Sequence, residues 1–436
     1  MVYYRNKIKK ILLITDLYPP DPGGRSEKMA RHVKYFFKNN VSVDVLCPTT
    51  LTVSKNYFLN SNKESICWRV SPFFFKHLKS LKWQENFAPQ THLGKFLVNF
   101  KLFPRGYLRW IVPAYLFAKK LILERNIGLI ITVSNPVPIL LLGIFLKSRY
   151  PELKFVAELR DPLTSYYRSK VSNALCSVIE KLLIKHADLI IEWRDFSPVL
   201  LKDKYNLKSN YLCIENVGFD PEEWKNYKRN FNFEDSSLKL IYTGGYYGEI
   251  KLWDLVFSVM SELSKNNISV HLDYYGDWVE TQRELLKKFP LLSNKVTIHG
   301  RVKKEVCIKA YENADALLYL LEPNEENKFK VTSKVYDYIA TAKPVVAILP
   351  KNSVVEGIFS KYSPELITSL PLNWYNNFIS FKKILMEKIS YLFKIKKEKK
   401  SLENLINYSI IPNFSCEKSE SVFVNACLEL LKRKYD

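Results

Sequence analysis

Residues 332–348, TSKVYDYIATAKPVVAI, combine the features of a short helix with those of a buried strand. Thr332 or Ser333 is suited to cap the helix, and the apolar residues that follow recur at helical spacing. Pro344 prevents the helix from continuing, and the apolar run after it is typical of a parallel strand. Free N–H groups and the helix dipole attract anions, so a helix start that carries Lys334 predicts an anion-binding site.

Two functional interpretations of this stretch stay open on the local pattern alone. In the first, Lys334 binds an anion, and Asp337, one turn further on, accepts hydrogen bonds from hydroxyl groups. In the second, the stretch is an ordinary αβ unit whose lysine is solvated. The remainder of the chain decides between them.

Length and composition predict a folded protein of two domains. The 436 residues are 47% hydrophobic and 25% charged, which is typical of globular chains. The net charge of +22 favours a polyanionic partner such as nucleic acid, an acidic membrane face or a phosphate-bearing substrate. The seven cysteines show no CxxC spacing, so disulfide and zinc frameworks are not expected and a reducing cytoplasm fits. The longest apolar stretch, residues 139–146, is too short to span a bilayer, and residues 11–14 are too few for a signal peptide.

A strand, a glycine-bearing turn and a helix follow one another at two places, residues 8–37 and residues 238–251. This order opens a nucleotide-binding βαβ unit, in which glycines let the backbone approach a phosphate or sugar closely. The two turns contain the pairs Gly23–Gly24 and Gly244–Gly245. Each pair is equally compatible with a simple turn. Lys251 follows the second pair and is either a phosphate ligand or an exposed lysine of the first helical turn.

Two further predicted strands end in charged residues. Residues 155–159 lead into Arg160, Asp161 and a proline, and residues 295–299 lead into a glycine, Arg301 and Val302. Charged groups at the carboxyl end of a strand lie at the crevice of a doubly wound sheet. Asp161 is therefore a candidate to orient or deprotonate an acceptor hydroxyl, and its alternatives are an ion pair with Arg160 or a helix cap.

Aromatic and basic residues interleave between positions 73 and 110, where Glu85 is the only acid. This mixture suits a membrane-interface surface that faces anionic lipid. It also suits stacking on single-stranded nucleic acid, or a pair of core helices with a solvated basic face. The sequence leaves these three interpretations open, with nucleic acid the least favoured.

Five short stretches, in order along nearly the whole chain, resemble motifs of glycosyltransferase family 4. PPDPGG at 19–24 is similar to the family's N-terminal PPxxGG loop, and ENVGFD at 215–220 is similar to its NGxD hinge with one inserted residue. The RDP triplet at 160–162, the glycine-rich turn before Lys251 and the stretch 332–348 complete the set. The chain departs from the family pattern at two positions: Phe329 replaces the first carboxylate of the paired acidic motif, and Ala342 replaces a glycine.

The resemblance implies the GT-B fold, an α/β architecture of two Rossmann-like domains that face a deep interdomain cleft. It implies an N-terminal acceptor-binding domain at 1–218 and a C-terminal nucleotide-sugar-binding domain at 219–412. A C-terminal helix at 413–436 is expected to pack back across the domains. Implied donor-binding residues are Gly23, Gly24, Gly244, Gly245, Arg301, Val302 and Asp337. Thr332, Ser333, Lys334 and Lys251 would stabilise the departing diphosphate electrostatically.

The implied activity is transfer of a hexose from a nucleotide diphosphate sugar to an acceptor hydroxyl, with retention at the anomeric carbon. The basic aromatic region favours an acceptor linked to polyprenyl diphosphate, in capsule, O-antigen or exopolysaccharide synthesis. It also favours a peripheral position on the inner face of the plasma membrane. The chain has no DxD pair, so no metal or other cofactor is expected, and it has neither GxGxxG nor GxxxxGK[ST], which disfavours a dehydrogenase or P-loop kinase. A non-catalytic GT-B-like scaffold and a GT-B-fold nucleotide-sugar epimerase remain the alternatives.

Overall fold

The computed structural model describes residues 10–21, 24–50, 55–60, 63–72, 105–134, 136–160, 163, 170–194, 200–215, 217–231, 233–234, 236–245, 249–325 and 327–432. The chain forms two units. The first combines Met1–Asn216 with Glu417–Asp436, and the second is Val217–Cys416. The acceptor and donor roles assigned to the two predicted domains remain predictions.

The first unit is built on an eight-stranded sheet with the order β3-β4-β2-β1-β5-β6-β7-β8. Its strands are β1 (Lys10–Ile14), β2 (Val43–Pro48), β3 (Tyr57–Phe58), β4 (Ile66–Val70), β5 (Ile127–Val133), β6 (Lys154–Leu159), β7 (Leu189–Trp193) and β8 (Tyr211–Ile214). All pairs are parallel except β3 with β4. Central strands covered on both faces need continuous apolar runs, and every residue of β5 is buried.

Helices connect these strands. They are α1 (Gly24–Lys38), α2 (Arg105–Glu124), α3 (Val137–Arg149), α4 (Lys170–His186) and α5 (Leu201–Tyr205). The sequence predicts a helix over residues 113–124, whereas helix α2 begins eight residues earlier and continues through Pro113. Helix α3 lies very close to the sheet, because a Cβ at Gly143 would come within 2.5 Å of the Phe155 ring and 2.7 Å of the Thr132 methyl group.

The second unit contains a six-stranded, wholly parallel sheet with the order β11-β10-β9-β12-β13-β14. The strands are β9 (Leu238–Thr243), β10 (Val270–Tyr275), β11 (Val296–Gly300), β12 (Ala316–Leu320), β13 (Val345–Pro350) and β14 (Ile367–Leu370). The helices are α6 (Ile250–Lys265), α7 (Glu280–Lys287), α8 (Lys304–Glu312), α9 (Ser333–Ala340), α10 (Val354–Tyr362) and α11 (Phe378–Lys397). The final helix, α12 (Cys416–Lys432), returns to the first unit except for its first residue.

Both sheets are doubly wound. In each one the first strand of the parallel series lies in the middle, and the chain adds strands first on one side and then on the other. The order reverses between β1 and β5 in the first unit and between β9 and β12 in the second. Ligands of such sheets bind beyond the carboxyl ends of the strands at this switch point. A candidate site is therefore expected where β9 and β12 end.

Candidate functional site

The turn after β9 is pressed against the turn after β10. The Gly244 N–H donates to the Tyr275 carbonyl at 2.9 Å, and Gly244 itself has a φ of +135°. A Cβ at Gly276, which has a φ of +155°, would overlap the carbonyl oxygen of Gly244. Both positions therefore require glycine, since a side chain would move the backbone that closes the switch point.

We expect Gly276→Ala to destabilise the second unit by about 1–3 kcal/mol, because the new methyl group meets backbone rather than a flexible side chain. Gly357→Ala is the matched control, since a Cβ built at that position in α10 has nothing within 4 Å apart from the adjacent backbone of its own helix. The control should raise stability by about 0.5–1 kcal/mol through helix propensity. Denaturant titration of both variants measures the difference, and equal stability of the two would contradict the close approach.

Lys334, in the first turn of α9, reaches the Gly244–Gly245 turn. Its Nζ donates to the Tyr242 hydroxyl at 3.2 Å, and that hydroxyl donates to the Gly245 carbonyl at 3.3 Å. The ammonium also lies over two aromatic rings, 4.4 Å from the centroid of Tyr242 and 5.1 Å from that of Tyr319. Burial lowers the pKa of Lys334 to about 8, with Glu249 opposing the shift. A partly desolvated cation at a helix start is suited to bind an anion.

The start of α9 has the predicted position but not the predicted cap. Thr332 is the N-cap residue, with extended backbone at φ −87° and ψ 152°, and no side chain caps the helix. The Thr332 hydroxyl lies instead 3.0 Å from the Tyr319 hydroxyl. Ser333 is exposed and follows directly. The prediction that the hydroxyl of Thr332 or Ser333 caps the helix is therefore wrong.

Two carboxylates border the same site. Glu249 directly precedes α6 and is 4% exposed. Glu322 follows β12 by two residues, and within the described part of the chain its buried Oε2 has no hydrogen-bond partner. Burial and then Glu249 raise the pKa of Glu322, whereas Lys251 lowers it. In the sequence Glu322 opens the acidic stretch 322–326, whereas nothing singles out Glu249, whose role depends on its neighbours in the fold.

The other predicted donor residues of the second unit have contacts of their own. Asp337 forms an ion pair with Lys304, in which the Asp337 Oδ1 lies 3.3 Å from the Lys304 Nζ. Lys251 is exposed, with its Nζ 4.7 Å from the Tyr375 ring centroid. Arg301 and Val302 follow β11. The Arg301 guanidinium donates twice to Asp277, at 2.6 and 2.5 Å.

In the first unit, Gly24 is the first residue of α1, whereas Gly23 and Asp161 lie outside the described residues. Sequence reasoning missed a fully buried charged network in this unit. Lys28 donates to Glu158 at 2.8 Å, and the two nitrogens of His32 lie 2.6 Å from Glu420 and 3.3 Å from Glu158. We call these four residues, Lys28, His32, Glu158 and Glu420, the buried network.

Opposite charges set the protonation of the buried network. Burial lowers the pKa of Lys28 to about 8 despite Glu158. For Glu158, burial is outweighed by Lys28 and His32, and its pKa falls well below the usual range. Burial alone would lower the pKa of His32, but Glu420 and Glu158 outweigh it and the pKa is raised. The network is thus held as two cation–carboxylate pairs, and its sequence separations of up to 388 residues concealed it.

Of the helices in the described ranges, none combines the length and the apolar character needed to cross a membrane. No family model and no curated protein matches the chain. Solved structures do match it over almost its whole length. A glycosyltransferase from Rickettsia africae is 14% identical with a TM-score of 0.61, covering 98% of this chain and 100% of that one.

Two further structures match at similar coverage. Staphylococcus aureus MnaA, solved with UDP, is 14% identical with a TM-score of 0.52, covering 98% of this chain and 99% of that one. A UDP-N-acetylglucosamine 2-epimerase is 13% identical with a TM-score of 0.52 and covers 99% of both chains. At these identities the likeness concerns the fold. The chain therefore has a GT-B-like α/β fold with two Rossmann-like sheets, which confirms the predicted fold class.

Proposed function

We propose that this protein transfers a sugar from a nucleotide diphosphate sugar to an acceptor hydroxyl. The observation that carries the proposal is Lys334, a partly buried ammonium at a helix start that lies beside the glycine turn of the β9–β12 switch point. Phosphate groups are the ligands that such a turn and helix start prefer. The names of the matching structures, a glycosyltransferase and a protein solved with UDP, agree with a nucleotide-sugar donor.

The proposed mechanism is electrostatic. Negative charge accumulates on the diphosphate as the glycosidic bond breaks, and Lys334 and the N–H groups at the start of α9 stabilise that charge. Lys251 is the second proposed cation. Asp337 would accept hydrogen bonds from the ribose, and the backbone at Arg301 and Val302 would contact the nucleobase. Gly244 leaves room beside the lysine, since a Cβ there would lie 3.2 Å from the Lys334 Nζ.

Glu322 is the proposed substitute for the carboxylate that the family motif has at the position of Phe329. Phe329 is 43% exposed, and its side chain has no atom that could accept a hydrogen bond from a sugar hydroxyl. The Glu322 Oε2 is buried and available within the described structure. A hydroxyl of the donor sugar would satisfy it, which removes the cost of a buried acceptor without a partner.

The stereochemistry, the roles of residues in the first unit and the acceptor are proposed from the resemblance to glycosyltransferase family 4. We propose retention at the anomeric carbon, Gly23 and Gly24 beside the diphosphate, and Asp161 beside the acceptor hydroxyl. The proposed acceptor is a polyprenyl-diphosphate-linked glycan of capsule, O-antigen or exopolysaccharide synthesis, met at the inner face of the plasma membrane. The first domain would bind it.

A screen of UDP, GDP, ADP and CMP with their common sugar conjugates tests the donor site by thermal shift. A ligand at a hundred times its Kd should stabilise the folded state by about 2.7 kcal/mol. The effective nucleotide should lose most of its shift in Asp337→Asn, which keeps the size of the side chain. Lys383→Ala, at an exposed position of α11, is the control and should keep the full shift. The absence of any shift in a folded sample would favour the non-catalytic scaffold.

Epimerisation is the second candidate, because a UDP-N-acetylglucosamine 2-epimerase is among the matching structures. Nuclear magnetic resonance of donor incubated in deuterated water without acceptor separates the two reactions. An epimerase would invert the sugar at C2 and exchange the hydrogen of that carbon. A transferase would leave C2 protonated and release at most slow hydrolysis products.

A further inference from the structure

Three neighbouring helices of the first unit, α2, α3 and α4, cover one face of its sheet. Helix α3 packs against both of the others. Their inner sides contribute to one apolar core, with Trp110, Ala114 and Leu121 of α2 among the buried residues. Their outer sides face away from the sheet, so any apolar residue there is not explained by the core.

The outer sides nevertheless carry large apolar residues. In α2 they recur at helical spacing, and Leu116 and Leu123 are 56% and 66% exposed. Phe145 is the member from α3 and is half exposed. The complete set is Val112, Leu116, Leu123, Phe145, Leu175 and Val178. Exposed apolar residues grouped on adjacent elements mark an interaction surface, whereas single ones are ordinary.

Basic residues share the same outer sides. They alternate with the apolar set along α2 and α4, and the exposed ones are Arg109, Lys119, Lys120, Arg149, Lys181 and Lys185. The one exposed acid on the described parts of these helices is Glu124, at the end of α2, 4.0 Å from Lys120. We call the two sets together the outer helix surface. A surface that joins apolar side chains with one sign of charge matches the interface of a bilayer whose headgroups are anionic.

We propose that the outer helix surface docks the protein on an anionic lipid bilayer. The long lysine stems would place their ammonium groups at the headgroups while the apolar side chains enter the acyl boundary. The sequence supports this occupant, because the predicted basic aromatic region, of which residues 73–104 lie outside the described residues, leads directly into α2. The inference deepens the proposed function and rests on it in one respect, since a lipid-linked acceptor would be met at this surface.

Vesicle cosedimentation tests the docking. The probes are vesicles of phosphatidylcholine and vesicles with an equimolar amount of phosphatidylglycerol, each at low and high salt. We expect binding to the anionic vesicles at low salt, weaker binding at high salt because the charges are screened, and little binding to phosphatidylcholine. The absence of binding to anionic vesicles at low salt would overturn the proposal.

Matched variants locate the binding surface. Lys119→Gln, Lys120→Gln and Lys181→Gln combined should weaken partitioning by about fivefold per lysine. The control carries the same charge loss elsewhere, at three exposed lysines of α6, α7 and the residue after α7: Lys265, Lys287 and Lys288. It should bind nearly as the unaltered protein does. An equal loss in both triple variants would show attraction by net charge alone and would overturn a defined surface.

A second pair of variants tests how much the apolar residues contribute to vesicle binding. Leu116→Ser with Leu123→Ser should lower partitioning by about tenfold or more per leucine. The control, Leu291→Ser with Val306→Ser, alters residues of similar exposure in the second unit and should bind normally. If the leucine variant binds vesicles normally but loses a dimer seen by sedimentation, the surface holds a second copy of the chain instead. Nucleotide thermal shift on the same variants separates the two proposals, because docking variants should keep the full shift.

Discussion

Lys334→Met is expected to lower the turnover of sugar transfer by about 10²–10³-fold, the usual effect of removing one preorganised group that stabilises developing charge. Methionine keeps an apolar stem over the rings of Tyr242 and Tyr319 but loses the ammonium. Initial rates at saturating donor measure the effect. Lys383→Met, an exposed substitution in α11, should keep the normal rate.

Stability distinguishes this role from a structural one. A lysine that burial shifts to a pKa of about 8 is held at a cost in the folded state. Lys334→Met should therefore leave the melting temperature unchanged or raise it. A variant that is both inactive and strongly destabilised would point to a structural lysine, and normal turnover would refute the charge role.

The pH dependence of ligand binding follows from the same pKa. Below about pH 8 the ammonium is charged and favours the diphosphate, and above that pH the free protein loses this charge. Nucleotide affinity should thus fall as pH rises through 8, and binding near pH 8 should take up a proton. Isothermal titration in buffers of different ionisation enthalpy detects that proton, and Lys334→Met should lack it.

Glu158→Ala is expected to reduce the free energy of unfolding by about 3–5 kcal/mol, because it leaves buried cations without their counter-charge. Glu158 is fully buried, and both Lys28 and His32 pair with it. Denaturant titration gives the value. Glu152→Ala, at an exposed position before β6, is the control and should change stability little. A loss below about 1 kcal/mol would mean that the network relaxes or admits water.

Glu420→Gln tests the same network if Glu158→Ala does not fold. The pKa of His32 is raised above its ordinary value of 6.5. Its contribution to stability is therefore complete below pH 6.5 and is lost as pH rises through the folded pKa. Glu420→Gln removes the acid 2.6 Å from His32. The stability gap between the two proteins should be largest at acid pH and should shrink as pH rises, which melting curves across that range would show.

The sequence predicted those parts of the fold that depend on local pattern. The apolar run after Pro344, which forms β13, and the glycine turn after β9 are each specified by neighbouring residues. Pro113 misled the prediction of α2, because proline favours a first turn but is tolerated inside this helix. The backbone conformation of Ala342 was also not predictable, because alanine rarely adopts a positive φ. It has a φ of +49°, which costs roughly 1 kcal/mol for a residue other than glycine.

The candidate site was only partly visible from sequence. Lys334 stood out because a helix start and a lysine coincide within one motif. Glu249 and the buried network did not stand out, because their roles depend on contacts with residues that are distant in the sequence. The Glu420 carboxylate meets His32 across 388 positions, and no local pattern indicates such a pair. Long-range charge pairing of this kind needs the three-dimensional arrangement.

The return of α12 to the first unit has a consequence for how the chain matures during translation. The first unit lacks Glu420 until residues beyond the second unit have been synthesised. The second unit has no such dependence, since it is one continuous range, Val217–Cys416. Domains usually finish folding in the order of synthesis. In this protein the buried network of the first unit cannot be completed before the second unit has been synthesised, so we expect its two cations to face a single acid, Glu158, during that interval.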